Sequence, residues 1–358
     1  MKRANQQDFA QAVVAWQRTH GRHDLPWQGS TDPYRVWVSE IMLQQTQVST
    51  VIPYYLRFMA RFPDVLALAD APDDEVMQHW AGLGYYSRAR NLHAAARDVR
   101  DRFGGQFPTD PEALQSLRGI GRSTAAAIAA FSANARAAIL DGNVKRVLAR
   151  VFAIQGFPGS APVERQMWAL ADSLLPAAGD MPAYTQGLMD LGATLCTPKR
   201  PRCGECPLAD RCEALRQSRV AELPVARPRK TPPRRGAVFW LVVDASGGVL
   251  LQKRPPVGIW GGLWSLPQTE PGQAAPAGVD AQRAERFALI EHAFTHFTLE
   301  IDVQRVALPA SSALLAAEPG ARWFTPAELA EAGVPKPVRT VLDSHLAQLR
   351  AEAAAKRS

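Results

Sequence analysis

The sequence predicts a multidomain protein, with an all-α part first and a smaller α+β part after it. Three observations support this prediction. Apolar residues recur at helical spacing up to about residue 215, four cysteines close that region, and a period of two appears after residue 235. The length of 358 residues agrees with two to three domains at about 150 residues each.

Composition narrows the class of protein. Hydrophobic residues make up 47% and charged residues 21%, which is typical of a globular chain rather than a disordered one. Lys and Arg exceed Asp and Glu by 41 − 34 = 7, an excess that suits a polyanionic partner without proving one. The most apolar stretch, residues 124–140, is broken by polar residues, and the charged start has no apolar core behind it. We therefore expect neither a membrane span nor a secretory signal.

Helices are predicted throughout the first part. Thr31-Asp32-Pro33 is a helix-start signal. It opens a helix predicted over residues 34–48, with Trp37 and Val48 on its buried face. Further helices are predicted over residues 51–62, 73–80, 87–102, 111–117, 124–131, 144–152, 163–175 and 184–191.

After these helices the chain changes character. Residues 216–235 hold seven Lys or Arg, one acid and four prolines. This composition predicts a linker over residues 216–234, which serves either as a tether or as a phosphate contact. Alternating apolar residues then predict strands over 237–243 and 249–253, and a last helix is predicted over 337–354.

The four cysteines are confined to one short window. Cys196, Cys203, Cys206 and Cys212 have the spacing C-x6-C-x2-C-x5-C. Zinc and iron–sulfur clusters both accept four cysteine ligands. Zinc sites more often use two close C-x2-C pairs, whereas this window has one, so the spacing favours an iron–sulfur cluster over zinc or unrelated thiols.

Two glycine-containing turns are candidates for contact with nucleic acid. Gly119 and Gly121 precede a predicted helix start, and such a turn exposes backbone N–H groups to phosphate, as helix–hairpin–helix motifs do. Residues 82–90 combine two glycines, Tyr85 and Tyr86, and two arginines, a set that can stack on bases and hold phosphates. Both patterns are also typical of plain turns between packed helices.

Two carboxylates stand out by position. Glu40 lies in an apolar helix with Gln44 and Gln47 on its polar side. If its carboxyl group is shielded from water there, its pKa rises and it can donate a proton. The alternative is an exposed glutamate on the solvent side of the helix. Asp141 follows an apolar run and precedes a predicted helix, so it is either a helix N-cap or a carboxylate placed in a cleft.

These segments together resemble one family. Matching motifs occur in order at residues 25–27, 39–48, 82–93, 119–125 and 141–144, followed by the four cysteines. The chain is similar in this way to the MutY family of adenine DNA glycosylases, within the endonuclease III-like helix–hairpin–helix superfamily, over about residues 8–215. A looser resemblance to that family's Nudix-like domain follows at residues 252–256, 258–264 and 292–297.

The resemblance implies a fold and a function. We expect an all-α helix–hairpin–helix glycosylase domain with one [4Fe-4S] cluster, then an α+β Nudix-like domain. We expect base excision repair of double-stranded DNA, in which adenine mispaired with 8-oxoguanine or guanine is flipped and hydrolysed. The implied modules are an iron–sulfur module at 1–29 and 138–215, a six-helix barrel at 30–137, the linker at 216–234 and an 8-oxoguanine recognition domain at 235–350. A cytoplasmic, nucleoid-associated bacterial monomer is expected.

The resemblance also implies roles for single residues. Glu40 and Asp141 match catalytic carboxylates, and Asn143 matches an asparagine near the reaction centre. Trp27 and Gln186 match the adenine pocket. The residues implied in DNA binding are Gln44, Gln45, Tyr85, Gly119, Gly121 and Ser123, those implied in recognition of 8-oxoguanine are Thr295 and His296, and the implied metal ligands are Cys196, Cys203, Cys206 and Cys212.

The chain departs from relatives at three sites. Ser123 occupies the position where bifunctional members of the superfamily carry a Schiff-base lysine, so efficient strand cleavage is not expected. A Pro/Ala/Gly-rich stretch, residues 271–278, replaces the glutamate-rich metal-binding helix of Nudix hydrolases. Thr295 also stands where relatives often have serine.

Two alternative functions are open for this sequence: an endonuclease III-like pyrimidine glycosylase and a non-catalytic mismatch-binding protein.

Overall fold

The structure, a computed structural model, describes residues 3–177, 179–227, 232–255, 258–294, 296–308 and 320–355. The chain forms two compact units, each made of two stretches. The helical unit consists of Met1–Asp70 with Asn91–Arg229, and the sheet unit of Ala71–Arg90 with Lys230–Ser358. Among the described residues, no helix is long and apolar enough to cross a membrane.

The chain is α-helical up to residue 216, as predicted. Its helices are α1 Arg3–His20, α2 Pro33–Leu43, α3 Val48–Arg61, α4 Val65–Asp70, α5 Asp73–Trp80, α6 Ser87–Phe103, α7 Pro111–Gln115, α8 Arg122–Ala133, α9 Gly142–Val151, α10 Ala161–Ser173, α11 Met181–Asp190 and α12 Glu213–Arg216. The sequence patterns missed α1, α4 and α12. A one-turn π-helix, Leu191–Leu195, follows α11 directly.

The end of α2 corrects one prediction. Asp32 caps the helix, with its carboxylate accepting the backbone N–H of Tyr34 at 2.9 Å. The predicted helix over 34–48 nevertheless ends at Leu43. Gln45 has a left-handed backbone with φ +57°, which breaks the helical path and leaves Val48 to begin α3. Apolar spacing therefore located the buried face of α2 but not its end.

Helix α1 packs closely on α11, and this contact positions α11. Gly187 in α11 allows this approach, because a Cβ there would lie 2.8 Å from Cγ1 of Val13. Both helices contribute to the core of the helical unit, in which Phe9, Leu148 and Leu188 are buried. The N-terminus of α9 and the end of α11 are thus held by one core.

The α7–α8 turn has the predicted glycine geometry at one of its two positions. Gly119 has φ +78°, and a Cβ there would lie 2.8 Å from the Cβ of Asn91. Gly121 is the N-cap of α8 with φ −86°, and a Cβ there would point into open space. Only Gly119 is required by the backbone itself.

The sheet unit is a mixed α+β structure, which confirms the predicted class. Its strands are β1 Arg234–Val243, β2 Val249–Lys253, β3 Trp264–Ser265, β4 Gln268–Thr269, β5 Glu285–Ala293, β6 Thr298–Ala307 and β7 Ala321–Phe324. The order is β3-β2-β1-β6-β5, with β4 on β1 and β7 on β2. β1 and β6 run parallel, and the other pairs are antiparallel. Helices α13 Pro326–Glu331 and α14 Lys336–Ala355 complete the unit.

Residues 71–90 belong to the sheet unit although they lie within the range predicted for the helical barrel. Asp74 accepts a bond from Nζ of Lys253 at 2.5 Å. Arg90 donates from Nη1 to the carbonyl of Gly261, also at 2.5 Å. These partners are more than 170 residues apart in sequence, so no local pattern could have indicated them.

We predict that Gly119→Ala lowers the free energy of unfolding by about 1–3 kcal/mol, because it combines a left-handed backbone with a clash against Asn91. Gly121→Ala is the matched control and should change it by less than about 0.5 kcal/mol. Urea denaturation of both variants measures the difference. Equal stability of the two variants would contradict the assigned backbone role.

Candidate active site and cysteine centre

A cavity of about 390 Å³ opens in the helical unit. It is walled by α2, by α11 and by the loop that follows α1, and its lining includes Trp27, Glu40 and Gln186. The ring of Trp27 is 8% exposed and meets Tyr55 edge-on, at 5.3 Å between centroids. Three of the residues singled out from the sequence therefore line one cavity large enough for a heterocyclic base.

Glu40 is an acidic residue in the lining of this cavity. It projects from α2 between Ser39 and Ile41, which are both buried. Burial and the nearby negative charge of Asp141 raise the pKa of Glu40 to about 8. Its carboxyl group is therefore mostly protonated at neutral pH and can serve as a proton donor.

Asp141 caps a helix, and its charge acts on Glu40. Its Oδ1 accepts the backbone N–H of Val144 at 2.8 Å, which makes it the N-cap of α9. Its Oδ2 accepts Nδ2 of Asn143 at 3.4 Å. Burial raises the pKa of Asp141, whereas the bonds from Val144 and Asn143 oppose that rise by favouring the carboxylate. Asp141 and Asn143 lie outside the lining of the cavity, but the charge of Asp141 acts on Glu40.

Arg146, which the sequence analysis missed, connects Asn143 to the cysteine segment. Its Nη2 donates to Oδ1 of Asn143 at 2.8 Å and to the carbonyl of Gly192 at 2.7 Å, and its Nε donates to the carbonyl of Cys196 at 2.7 Å. The approach is close, since a Cβ on Gly192 would lie 2.4 Å from the Cβ of Asn143. The orientation of Asn143 is thus set from two sides.

Asp190 is a second residue that the sequence analysis missed. It is fully buried and accepts from Nε2 of Gln186 at 2.8 Å. It also accepts from the backbone N–H and the Nε of Arg22, at 2.8 and 2.7 Å. Arg22 and Gln186 both line the cavity. The signal available in the sequence was an acid inside the apolar end of α11, where an unpaired charge is costly.

The four cysteines surround one small cavity of about 30 Å³. All four thiols are half-buried, and Arg150 donates from Nη1 to Sγ of Cys196 at 3.3 Å. Burial and the neighbouring thiols raise the pKa of Cys206 to about 11, so these sulfurs need a cation to become thiolates. Within the described chain, no three His, Cys, Asp or Glu side chains are grouped so as to hold a single metal ion. The all-sulfur donor set around one cavity fits an iron–sulfur group.

Arg150 holds the chain around this centre and is a third missed residue. It is 2% exposed. Its guanidinium donates to the carbonyls of Thr197 and Pro198 at 2.8 and 3.1 Å, and to that of Leu223 at 2.8 Å. One side chain therefore fixes both the loop that follows Cys196 and the chain that follows Cys212.

The other predicted contacts in the helical unit lie where α2 ends and α8 begins. Nε2 of Gln44 lies 3.5 Å from Oγ1 of Thr124. Gln45 is exposed, with the left-handed backbone described above. Ser123 accepts the backbone N–H of Leu140 at 3.0 Å, which ties the start of α8 to the residue before Asp141.

His296, one of the two predicted recognition residues, borders a cavity of about 610 Å³ in the sheet unit. Tyr85, Trp260, Phe294 and His296 are in its lining. Tyr85 is 47% exposed with φ +49°, and His296 is exposed. Thr295 lies outside the described residues.

We predict that Asp190→Ala lowers the free energy of unfolding by about 3 kcal/mol or more, because it leaves the guanidinium of Arg22 without its buried partner. Asp180→Ala is the matched control: it breaks the exposed Arg18–Asp180 pair and should cost less than about 1 kcal/mol. Urea denaturation measures both values. Similar losses in the two variants would contradict a special role for Asp190.

Family models match three parts of the chain. The HhH-GPD superfamily of base excision DNA repair proteins matches residues 38–173, and the iron–sulfur binding domain of endonuclease III matches residues 196–212. A NUDIX domain model matches residues 238–344. The matches follow the order of the cavity, the cysteine centre and the sheet unit.

Solved structures share the fold of the helical part. A thermostable thymine-DNA glycosylase is 28% identical, with a TM-score of 0.55, and covers 60% of this chain and 100% of its own. Endonuclease III in a non-covalent complex with DNA is 18% identical, with a TM-score of 0.50 over 61% of this chain and 98% of its own. The latter likeness is one of fold alone.

Curated relatives match nearly the whole chain. The adenine DNA glycosylase of Buchnera aphidicola from Acyrthosiphon pisum is 34% identical over 94% of this chain and 97% of the relative. The human adenine DNA glycosylase is 35% identical over 93% of this chain and 73% of the relative. Identity at this level and over this length, together with the base excision repair and iron–sulfur matches, shows that the chain belongs to the adenine DNA glycosylase family.

Proposed function

We propose that this protein removes adenine from double-stranded DNA where it is mispaired with 8-oxoguanine or with guanine. Membership of the family makes it a DNA N-glycosylase, a hydrolase of base excision repair. The observation that supports the proposal most directly is Glu40, which faces the cavity with a pKa of about 8. A protonated carboxyl beside a second carboxylate is the arrangement that hydrolysis of a glycosidic bond requires.

The target adenine must first leave the helical stack. Its extrusion costs a few kcal/mol, less at a mispair than at a matched pair. In our proposal Trp27 forms an apolar wall for the extruded base, and the amide of Gln186 contacts its polar edge. Asp190 restricts the Gln186 amide through the bond to Nε2, so the pocket meets the base with an oriented donor and acceptor.

The chemical step uses the two carboxyl groups in different protonation states. Glu40 donates its proton to N7 of adenine while the bond between C1′ and N9 breaks, and the bonding electron pair leaves with the base. The N–H groups at the start of α9 favour the carboxylate form of Asp141 and oppose the rise in its pKa that burial causes. In this form Asp141 stabilises the positive charge on the sugar or forms a transient bond to it. The Glu40 carboxylate then takes a proton from the water that adds to C1′, which leaves an abasic site and restores the acid.

We propose that the enzyme is monofunctional. A lyase that proceeds through a Schiff base needs an amine near C1′. Ser123 has no amine, and its hydroxyl oxygen is engaged by the N–H of Leu140. Strand cleavage by this route is therefore not expected.

Contacts with the duplex are assigned to three turns of the chain. The N-terminus of α8, with Gly119 and Gly121, suits a phosphate. Gln44, Gln45 and Tyr85 are assigned to the DNA around the mispair. The left-handed backbones of Gln45 and Tyr85 are the kind of local strain that a functional role explains.

The finer organisation that we propose keeps the expected modules, although residues 71–90 pack with the sheet unit. We propose one [4Fe-4S] cluster held by the four cysteines, in a module of residues 1–29 and 138–215 beside the barrel of residues 30–137. Bound there, the cluster supplies structural cross-linking of the cysteine window. Residues 216–234 link this part to residues 235–350, where Thr295 and His296 are assigned to 8-oxoguanine. We expect a monomer at the bacterial nucleoid.

We predict that Glu40→Gln lowers the single-turnover rate of adenine release at least about 1,000-fold, because an amide has no proton to give. Binding to a duplex with an adenine–8-oxoguanine mispair should stay within about threefold. Glu112→Gln, a change of an exposed glutamate in α7, is the matched control and should be fully active. Release by the Glu40 variant at a rate near that of the native protein would remove Glu40 from the acid role.

The pH profile gives an independent check on Glu40. The protonated form is active, so the native rate should fall about tenfold per pH unit once the pH exceeds about 8. Because the pKa in the folded protein lies above the ordinary value of 4.5, native stability decreases as the pH rises from about 4.5 to about 8. Glu40→Gln lacks this loss and should denature at a higher temperature at pH 8. A rate that stays flat to pH 9.5 would exclude Glu40 as the acid.

We predict that Cys203→Ser lowers the iron and sulfide content and the folded yield, because one of the four ligands becomes a poor one. Native protein purified without oxygen should contain about four iron and four sulfide per chain. Iron, zinc and acid-labile sulfide are measured on the same samples. Stoichiometric zinc in the native protein would contradict the cluster.

A further inference from the structure

The large cavity of the sheet unit has walls from two distant stretches of chain. Tyr85 and Arg90 come from residues 71–90, whereas Trp260 and Phe294 come from the stretch after residue 230. Both Tyr85 and Trp260 have left-handed backbones, with φ +49° and +56°. Such a conformation costs about 1 kcal/mol or more in a bulky residue and persists only where neighbouring groups impose it.

Arg90 joins the two walls. Its Nη1 donates to the carbonyl of Gly261 at 2.5 Å, and its Cδ would lie 3.8 Å from a Cβ on Gly262. The side chain is half-buried. A bond from a charged donor to a carbonyl is roughly twice as strong as a neutral bond, and partial burial shields it from competing water.

On the far side of this bond lies the loop that carries Trp260. The carbonyl of Trp260 accepts the N–H of Leu263 at 3.1 Å, and the carbonyl of Arg254 accepts that of Gly262 at 3.2 Å. The Trp260 ring packs against Phe294, with centroids 5.3 Å apart. A shift of Gly261 would therefore move Trp260 and, through it, Phe294, which lies two residues before His296.

On the near side lies the turn that carries Tyr85. The carbonyl of Tyr85 accepts the N–H of Arg88 at 2.8 Å, and Nη2 of Arg88 donates to the carbonyls of Leu83 and Gly84 at 3.2 and 3.1 Å. Arg90 belongs to the same first turn of α6. Backbone structure thus fixes the Cα of Arg90 relative to Tyr85, and the bond to the carbonyl of Gly261 fixes its guanidinium.

We propose that Arg90 is a positioning residue that sets the register between the Tyr85 turn and the Trp260 loop, and thereby the discrimination between 8-oxoguanine and guanine opposite the adenine. The role in discrimination rests on the proposed function, whereas the register itself does not. Arg90 acts through the carbonyl of Gly261 rather than through contact with the base. The chemistry at Glu40 stays intact without it.

The experiment compares three variants of the full-length protein. Arg90→Met keeps the length of the side chain but removes the donor, and Arg90→Lys keeps a charged donor. Lys253→Met is the matched control, since it removes a different contact between the same two stretches, the Lys253–Asp74 ion pair, and neither residue lines the cavity. Single-turnover rates and dissociation constants are measured on both mispairs at several salt concentrations.

We expect Arg90→Met to reduce the preference for the 8-oxoguanine mispair at least fivefold, with the saturating rate on that mispair within about twofold of native. Arg90→Lys should recover at least half of the preference, and Lys253→Met should keep all of it. An unchanged preference in Arg90→Met would overturn the proposal. Equal weakening on both mispairs with a smaller salt dependence would also overturn it, because that result indicates a direct phosphate contact.

Hydrogen exchange provides a measurement that does not depend on activity. Arg90→Met should increase amide exchange in residues 258–263, and Lys253→Met should not. Unchanged exchange there would overturn the assigned register. Native protein that releases adenine from neither mispair would instead overturn the proposed function, so the two failures are distinguishable. Thermal denaturation shows whether each variant is folded. If Arg90→Met does not fold, Arg90→Lys provides the test in its place.

Discussion

The helical unit depends on the hydrogen bonds that two arginines of α9 make to the cysteine segment. Arg146 reaches the carbonyl of Cys196, and Arg150 reaches those of Thr197 and Pro198. Guanidinium groups suit this task because they present several donors in a rigid plane and stay charged when buried. The same helix begins at Asp141, so a single rigid element joins the cysteine centre to a carboxylate that we assign to the reaction. Loss of either arginine would leave carbonyls of the cysteine segment without their donor.

The frame around α9 places two buried carboxyl groups in different surroundings. Glu40 has burial and a like charge acting on it, and both raise its pKa. Burial also raises the pKa of Asp141, but the N–H groups at the helix start favour its carboxylate and oppose that rise. Our proposal assigns Glu40 as the acid and Asp141 as the stabilising anion on this difference in surroundings. The proposed pocket for the base also depends on a buried carboxylate, because Asp190 orients Gln186 through a hydrogen bond.

We assign recognition of the base opposite the adenine to the sheet unit. Its cavity is bounded by residues that precede α6 and by residues after 230, so contacts assigned to the DNA and contacts assigned to the opposite base share one body. Two strained backbones, at Tyr85 and Trp260, lie in turns whose carbonyls accept the N–H groups of Arg88 and Leu263. Strain supported in this way keeps the exposed ring of Tyr85 ready for a ligand without a cost at the moment of binding.

The sequence by itself determined most of the local structure and the candidate chemistry. Helix caps at Asp32 and Asp141, and the cysteine spacing, are local signals, because each depends on residues a few positions apart. Tertiary structure alone decided that α2 ends at Leu43, that residues 71–90 join the sheet unit, and that Asp190 and Arg150 organise the two centres. The Asp190–Arg22 contact spans 168 positions, and the bond from Arg150 to the Leu223 carbonyl spans 73. Periodicity cannot predict such contacts, because they depend on how whole elements pack rather than on local spacing.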